Sequence, residues 1–105
     1  MANFAVEINP MQNIITAIKE NKGTLLDVRS QMEFEEEHIP NAVNIPLDTI
    51  EGFVSQIAAM PKPILVYCLS GGRSGVATSI LQQNGIEDVY NGGGIYNLLS
   101  LLNNN

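Results

Sequence analysis

Short apolar runs alternate with segments of helical periodicity along this chain, and that alternation restricts its fold more than any other feature. TLLDV (24–28), AVNI (42–45), PILVYC (63–68) and DVYN (88–91) are compact strand candidates, and FAVEI (4–8) is a weaker one. Runs apolar on both sides suit strands buried in a parallel sheet better than half-wet antiparallel ones. Helix candidates lie between them. Pro10 in a first turn, followed by Ile14, Ile15 and Ile18, predicts a helix ending near Asn21 and Gly23. Asp48 or Thr49 caps a second, with Ile50, Phe53, Val54, Ile57 and Ala58 on one face up to Pro61. RSGVATSILQQNG (73–85) sets Val76, Ile80 and Leu81 at helical spacing and stops at Gly85, a left-handed cap. RSQMEFEEEHIP (29–40) reads as a loop with a short helix, and a last helix follows glycines 92 to 94. The expected class is α/β: one domain over 1–105, with a mainly parallel central sheet flanked by helices on both faces. Ile57, Phe53, Ile80 and Leu98 are expected in its core.

Charge and thiol count narrow the partners. Eleven Asp and Glu against five Lys and Arg leave a net charge of −6, which repels phosphate backbones and anionic membrane surfaces. A single cysteine cannot close an internal disulfide, so a reducing compartment is expected. The start MANFAVEINP lacks the basic flank and apolar stretch of a signal peptide, and no window approaches the ~20 apolar residues that span a bilayer. The reading is therefore cytoplasmic, with neither nucleic acid nor membrane as partner.

That one cysteine, Cys68, ends the most apolar strand candidate and opens the loop Leu69, Ser70, Gly71, Gly72, Arg73, Ser74. In parallel sheets the reactive surface lies beyond the carboxyl ends of the strands. A loop running from a buried strand into a helix turns successive N–H groups inward, and glycines at 71 and 72 let it curl. A thiol held there, at a helix N-terminus, is expected to ionise below its reference value of about 8.5. Arg73 adds a permanent cation, to neutralise the loop's occupant or to meet an anionic substrate, and Ser70 and Ser74 add hydroxyls. The plain alternative is a small buried hydrophobe.

CLSGGRS (68–74) resembles the active-site loop of rhodanese-type sulfurtransferases, C-x-x-G-x-R, through Cys68, Gly71 and Arg73. LLDVRSQMEFEEEHIPNAVNIP (25–46) and GIEDVYNGGGI (85–95) resemble the family's other signatures, in matching order from about residue 10 to residue 98. Three departures are visible: Asn41 and Glu37 replace common glycines, and no tryptophan follows GGGI. The resemblance implies a double displacement in which Cys68 takes sulfur from thiosulfate or another small anionic donor, stores it as a persulfide and yields it to a thiol, cyanide or a protein acceptor, without metal or cofactor. Phosphatases with a cysteine nucleophile place arginine six residues after it. Here that position is Ser74, and the shorter loop suits one sulfur atom better than a tetrahedral oxyanion. A nonenzymatic persulfide carrier or regulatory module acting with a partner is the alternative.

Asp27 and Arg29 leave the same side of a strand end, and are expected to form an ion pair that fixes the next loop. Arg29 has a second reading, as a guide for anionic donors. His38 is expected to hydrogen-bond a loop, and the acidic group at 33, 35, 36 and 37 to be a solvated face, with a docking surface for a basic partner as the alternative. Glycines 92 to 94 lack the Lys-Ser/Thr of a phosphate loop and are assigned to close backbone packing beside Cys68.

Overall fold

The structure, a computed structural model, describes residues 10–104, so the strand expected at 4–8 lies outside it. Helix α1 (Pro10–Lys19) starts at the proline and buries Ile14, Ile15 and Ile18. It is followed by β1 (Thr24–Asp27), α2 (Gln31–Glu36) and β2 (Val43–Asn44). A 3-10 helix (Leu47–Phe53) runs into α3 (Val54–Ala58), then β3 (Ile64–Cys68), α4 (Gly72–Gln83), β4 (Val89–Gly94) and α5 (Ile95–Asn103).

Among the described residues four strands pair in parallel in the order β2-β1-β3-β4. The crossover from β1 leads to one side and that from β3 to the other, so a crevice opens beyond their carboxyl ends, where such sheets bind ligands. Every residue of β1 and β3 is buried, because both faces are covered. Period-2 alternation sends Leu26, Val28, Ile64, Val66 and Cys68 toward Ile50, Ile57, Ala77 and Leu81 on one face. Leu25, Leu65 and Tyr67 go to the other, against Ile14, Ile15, Ile18, Ile95 and Leu98.

Three expectations need correction. The helix predicted after Asp48 begins as a 3-10 turn, and Phe53, at its junction with α3, is 38% exposed rather than core. In α4, Val76 is 52% exposed and Ile80 only partly buried. The buried stripe is Ser74, Ala77, Thr78 and Leu81, one position round the helix. Small residues there let α4 sit close to the sheet, and the buried Thr78 hydroxyl donates to the Ser74 carbonyl at 2.7 Å. Finally, β4 runs on through glycines 92 to 94. Val66 pairs with Asn91 but Tyr67 with Gly93, so Gly92 is the extra residue of a bulge. A Cβ at Gly92 would come within 2.9 Å of Leu65. Gly85, with φ of 85°, closes α4 as expected.

Candidate active site

β3 delivers Cys68 to the carboxyl edge of the sheet, and the chain curls back over it. Gly71, with φ of 100°, makes the reversal and leads into the twelve residues of α4. The reversal aims main-chain donors at the sulfur. The Gly71 N–H donates to Cys68 Sγ at 3.0 Å and the Ser74 N–H at 3.4 Å, while Ser74 Oγ lies 3.4 Å away. Burial pushes the Cys68 thiol up, but the Ser74 hydroxyl and the amides of Ser74, Gly71 and Ser70 outweigh it, and the net direction is down. The residue is only 1% exposed, lying beneath its loop, while Leu69 on the rim is 50% exposed.

Two neighbours hold this loop. A Cβ at Gly94 would meet the Leu69 carbonyl oxygen at 2.4 Å, so the glycine run packs directly under the loop. Asn91 Nδ2 donates to the Gly71 carbonyl at 3.2 Å.

Arg73 is clamped. Its two terminal nitrogens donate to the two Glu33 oxygens at 2.7 and 3.0 Å. Glu33 is the third residue of α2, whose capping box is complete: the Glu33 N–H donates to Ser30 Oγ at 3.2 Å, and the Ser30 N–H to Glu33 Oε1 at 3.1 Å. The hydrogen bond from Arg73, aided by Ser30, outweighs desolvation and holds the Glu33 carboxyl down at about 2. Glu33 is thus a supporting residue rather than part of a solvated face. The spacing Ser30-x-x-Glu33 was the available signal.

Arg29 needs the opposite correction as a guide for donors. It is 4% exposed, and its Nε and Nη2 engage both Asp27 oxygens at 2.7 to 3.1 Å. Its Nη2 also donates to the Glu37 carbonyl at 2.6 Å, and its guanidinium lies 5.7 Å from the centre of the Tyr67 ring. Asp27 pairs in register with Tyr67, so alternation carries both charged side chains to the face opposite Cys68. The ion pair between them is present as expected. Burial, above all, pushes the Tyr67 phenol up, and Asp27 adds to it. His38 donates from Nδ1 to the Phe34 carbonyl at 2.7 Å and stacks on the Phe34 ring.

A cleft of about 380 Å³ beside Arg73 is lined by Val28, Ser30, Pro46, Leu47, Asp48 and Arg73. A larger one, about 540 Å³ and walled by α1, α5 and residues 39 to 41, includes no residue of the Cys68 loop. Among the described residues no cluster of three His, Cys, Asp or Glu side chains is arranged to hold a metal.

The rhodanese-like domain family matches residues 11–98. The chain is 41% identical over 70 residues to the uncharacterised protein YqhL of Bacillus subtilis, a match that covers 67% of this chain and 55% of the relative, little more than half its length. It is 35% identical over 82 residues to thiosulfate sulfurtransferase GlpE of Pseudomonas syringae, covering 78% of this chain and 76% of the relative. The human single-domain sulfurtransferase TSTD1 superposes with a TM-score of 0.68 at 26% identity, over 84% of this chain and 89% of that one. An E. coli rhodanese solved with anions gives 0.64 at 32% identity, over 70% and 87%. The match over residues 11–98, on a parallel sheet that ends in a cysteine loop, makes this chain a member of the rhodanese-like family.

Proposed function

We propose that the chain is a sulfurtransferase working by double displacement at Cys68. The thiolate attacks the outer sulfur of thiosulfate or a similar small donor; a new S–S bond forms as the S–S bond of the donor breaks, and sulfite leaves with the electron pair. Cyanide or a thiol then attacks the outer sulfur of the Cys68 persulfide, and the thiolate returns. Neither step calls for a metal or an organic cofactor.

One observation carries this reading: the Gly71 and Ser74 N–H groups converge on Sγ at 3.0 and 3.4 Å at the start of α4. Donors fixed in advance stabilise negative charge on the thiolate and on the persulfide alike. In this scheme Leu69 and Ser70 form the rim, and Gly72 starts the helix without a side chain in the way. Arg73 meets the departing sulfite through the second hydrogen that each terminal nitrogen keeps beyond the one given to Glu33. Arg29 and Asp27 brace the neighbouring loop from behind the sheet. A cytoplasmic setting belongs to this reading, because a lone thiol keeps its reactivity where disulfide exchange is suppressed.

The burial of Cys68 at 1% exposure favours a second reading, a persulfide carrier whose loop a partner protein opens. Steady-state release of thiocyanate from thiosulfate and cyanide distinguishes the two. Turnover by the isolated protein that falls to background in Cys68→Ser is the expected result. Loading of sulfur without turnover would transfer the assignment to the carrier, and undiminished turnover by Cys68→Ser would remove Cys68 from the mechanism.

A further inference from the structure

Asn91 sits on β4 beside the bulge, and its amide orientation is fixed from two sides. Oδ1 accepts the Gly93 N–H at 2.9 Å, and Nδ2 donates to the Gly71 carbonyl at 3.2 Å. Turning the amide over would set donor against donor and acceptor against acceptor. The same Oδ1 lies 2.6 Å from Ser74 Oγ. An amide oxygen cannot donate, so the single hydroxyl proton of Ser74 points at Asn91. What Ser74 Oγ presents to Cys68, 3.4 Å away, is then a lone pair. That arrangement suits a protonated sulfur, in a chain from the Cys68 S–H to Ser74 Oγ and on to Asn91 Oδ1. A charged sulfur wants the reverse, and obtains it only if the hydroxyl leaves its short bond to Asn91.

We propose that Asn91 is a positioning residue that competes with the Cys68 sulfur for the Ser74 hydroxyl proton, and so sets how readily the sulfur carries negative charge. The main-chain amides give their hydrogen bonds in either state; the hydroxyl is the adjustable donor. When the thiol loses its proton to solvent, Ser74 swings from Asn91 to sulfur, and Oδ1 keeps the Gly93 N–H. When the sulfur is neutral again, the hydroxyl returns. The inference rests on Cys68 being the reacting thiol, but its readout is ionisation rather than turnover, so the two can fail separately.

The other charges around Cys68 are Arg73 on α4, clamped by Glu33 on α2; Asp27 with Arg29 on the far face of the sheet; and Asp48 of the 3-10 helix, which lines the cleft with Arg73. No substitution at 91 removes any of these, so they cancel in the comparison. Asn91 is itself exposed, which makes replacement tolerable to the core.

The test is the pH dependence of Cys68 alkylation by iodoacetamide in the natural protein and in Asn91→Leu, Asn91→Ala and Asn91→Asp, each first checked for cooperative unfolding. Removing the competing acceptor in Asn91→Leu or Asn91→Ala is expected to lower the apparent thiol pKa by roughly half a unit to one unit, a three- to tenfold gain in thiolate at a pH below it. The Asp carboxylate, a stronger acceptor and a like charge, is expected to raise it by a similar amount. In a Ser74→Ala background the Leu and Ala effects should vanish. General loosening of the loop would withdraw amide donors and raise the value in every variant. A rise or no change in both Asn91→Leu and Asn91→Ala, or a fall that survives Ser74→Ala, overturns the proposal.

Discussion

A methyl group at position 94 would lie 2.4 Å from the Leu69 carbonyl oxygen, closer than any real Cβ contact. Gly94→Ala must therefore displace the Cys68 loop, and the expected cost is about 2 kcal/mol of stability, with loss of the Gly71 and Ser74 contacts to sulfur. Urea unfolding and the Cys68 alkylation rate measure both; unchanged values would show that the loop has slack. Several single residues were legible in the sequence because their chemistry is rare: the lone cysteine, the glycines after it, and the arginine five positions on. Glu33 was within reach through its spacing from Ser30, yet an acidic run looks the same whether it faces water or an arginine 40 residues away. Asn91 gave no signal. Its role depends on the bulge at Gly92, and a bulge is a property of how two strands pair.

Strand and helix order followed from hydrophobic periodicity, because buried parallel strands and amphipathic α1 leave strong patterns. Register did not follow. That Asp27 and Arg29 share a side of β1 was readable, but only the pairing of Asp27 with Tyr67 shows that this side faces away from Cys68. For α4 the apolar residues misled, since the stripe that meets the sheet begins at Ser74, where small polar side chains satisfied by hydrogen bonds replace bulk. The buried Asp27–Arg29 pair joins β1 to the Glu37 carbonyl beyond α2. Asp27→Ala leaves a buried guanidinium without its carboxylate and is expected to cost about 3 to 5 kcal/mol, read from chemical denaturation. A loss under about 1 kcal/mol would mean that water reaches Arg29. Glu33–Arg73 ties α2 to α4 across a more exposed gap, so Glu33→Gln should cost about 1 kcal/mol or less at neutral pH. Because the Glu33 carboxyl is held down at about 2 against an ordinary 4.5, its stabilisation is complete above 4.5 and fades as pH falls toward 2. The natural protein should lose its advantage over Glu33→Gln across that interval. A difference as large at pH 2 as at neutral pH would contradict the pairing.

At the scale of the whole molecule, the charge of −6 opposes an anionic donor, and both arginines near the site are already paired with carboxylates. Thiosulfate should therefore be slowed by the long-range field, and kcat/KM for it should rise as salt screens the repulsion over the ~10 Å Debye length at 0.1 M. A fall with salt would point to a cationic entrance that the described residues do not form. What the sheet, the two covered faces and the glycine turn achieve together is to hold one sulfur atom under a cap of amides. Intact mass measurement after incubation with thiosulfate reads that arrangement at the atom concerned. One added sulfur, about 32 Da, confined to Cys68 and removed by cyanide, is the expected result. A protein that gains no sulfur, or a Cys68→Ser protein that gains it equally, would contradict the mechanism.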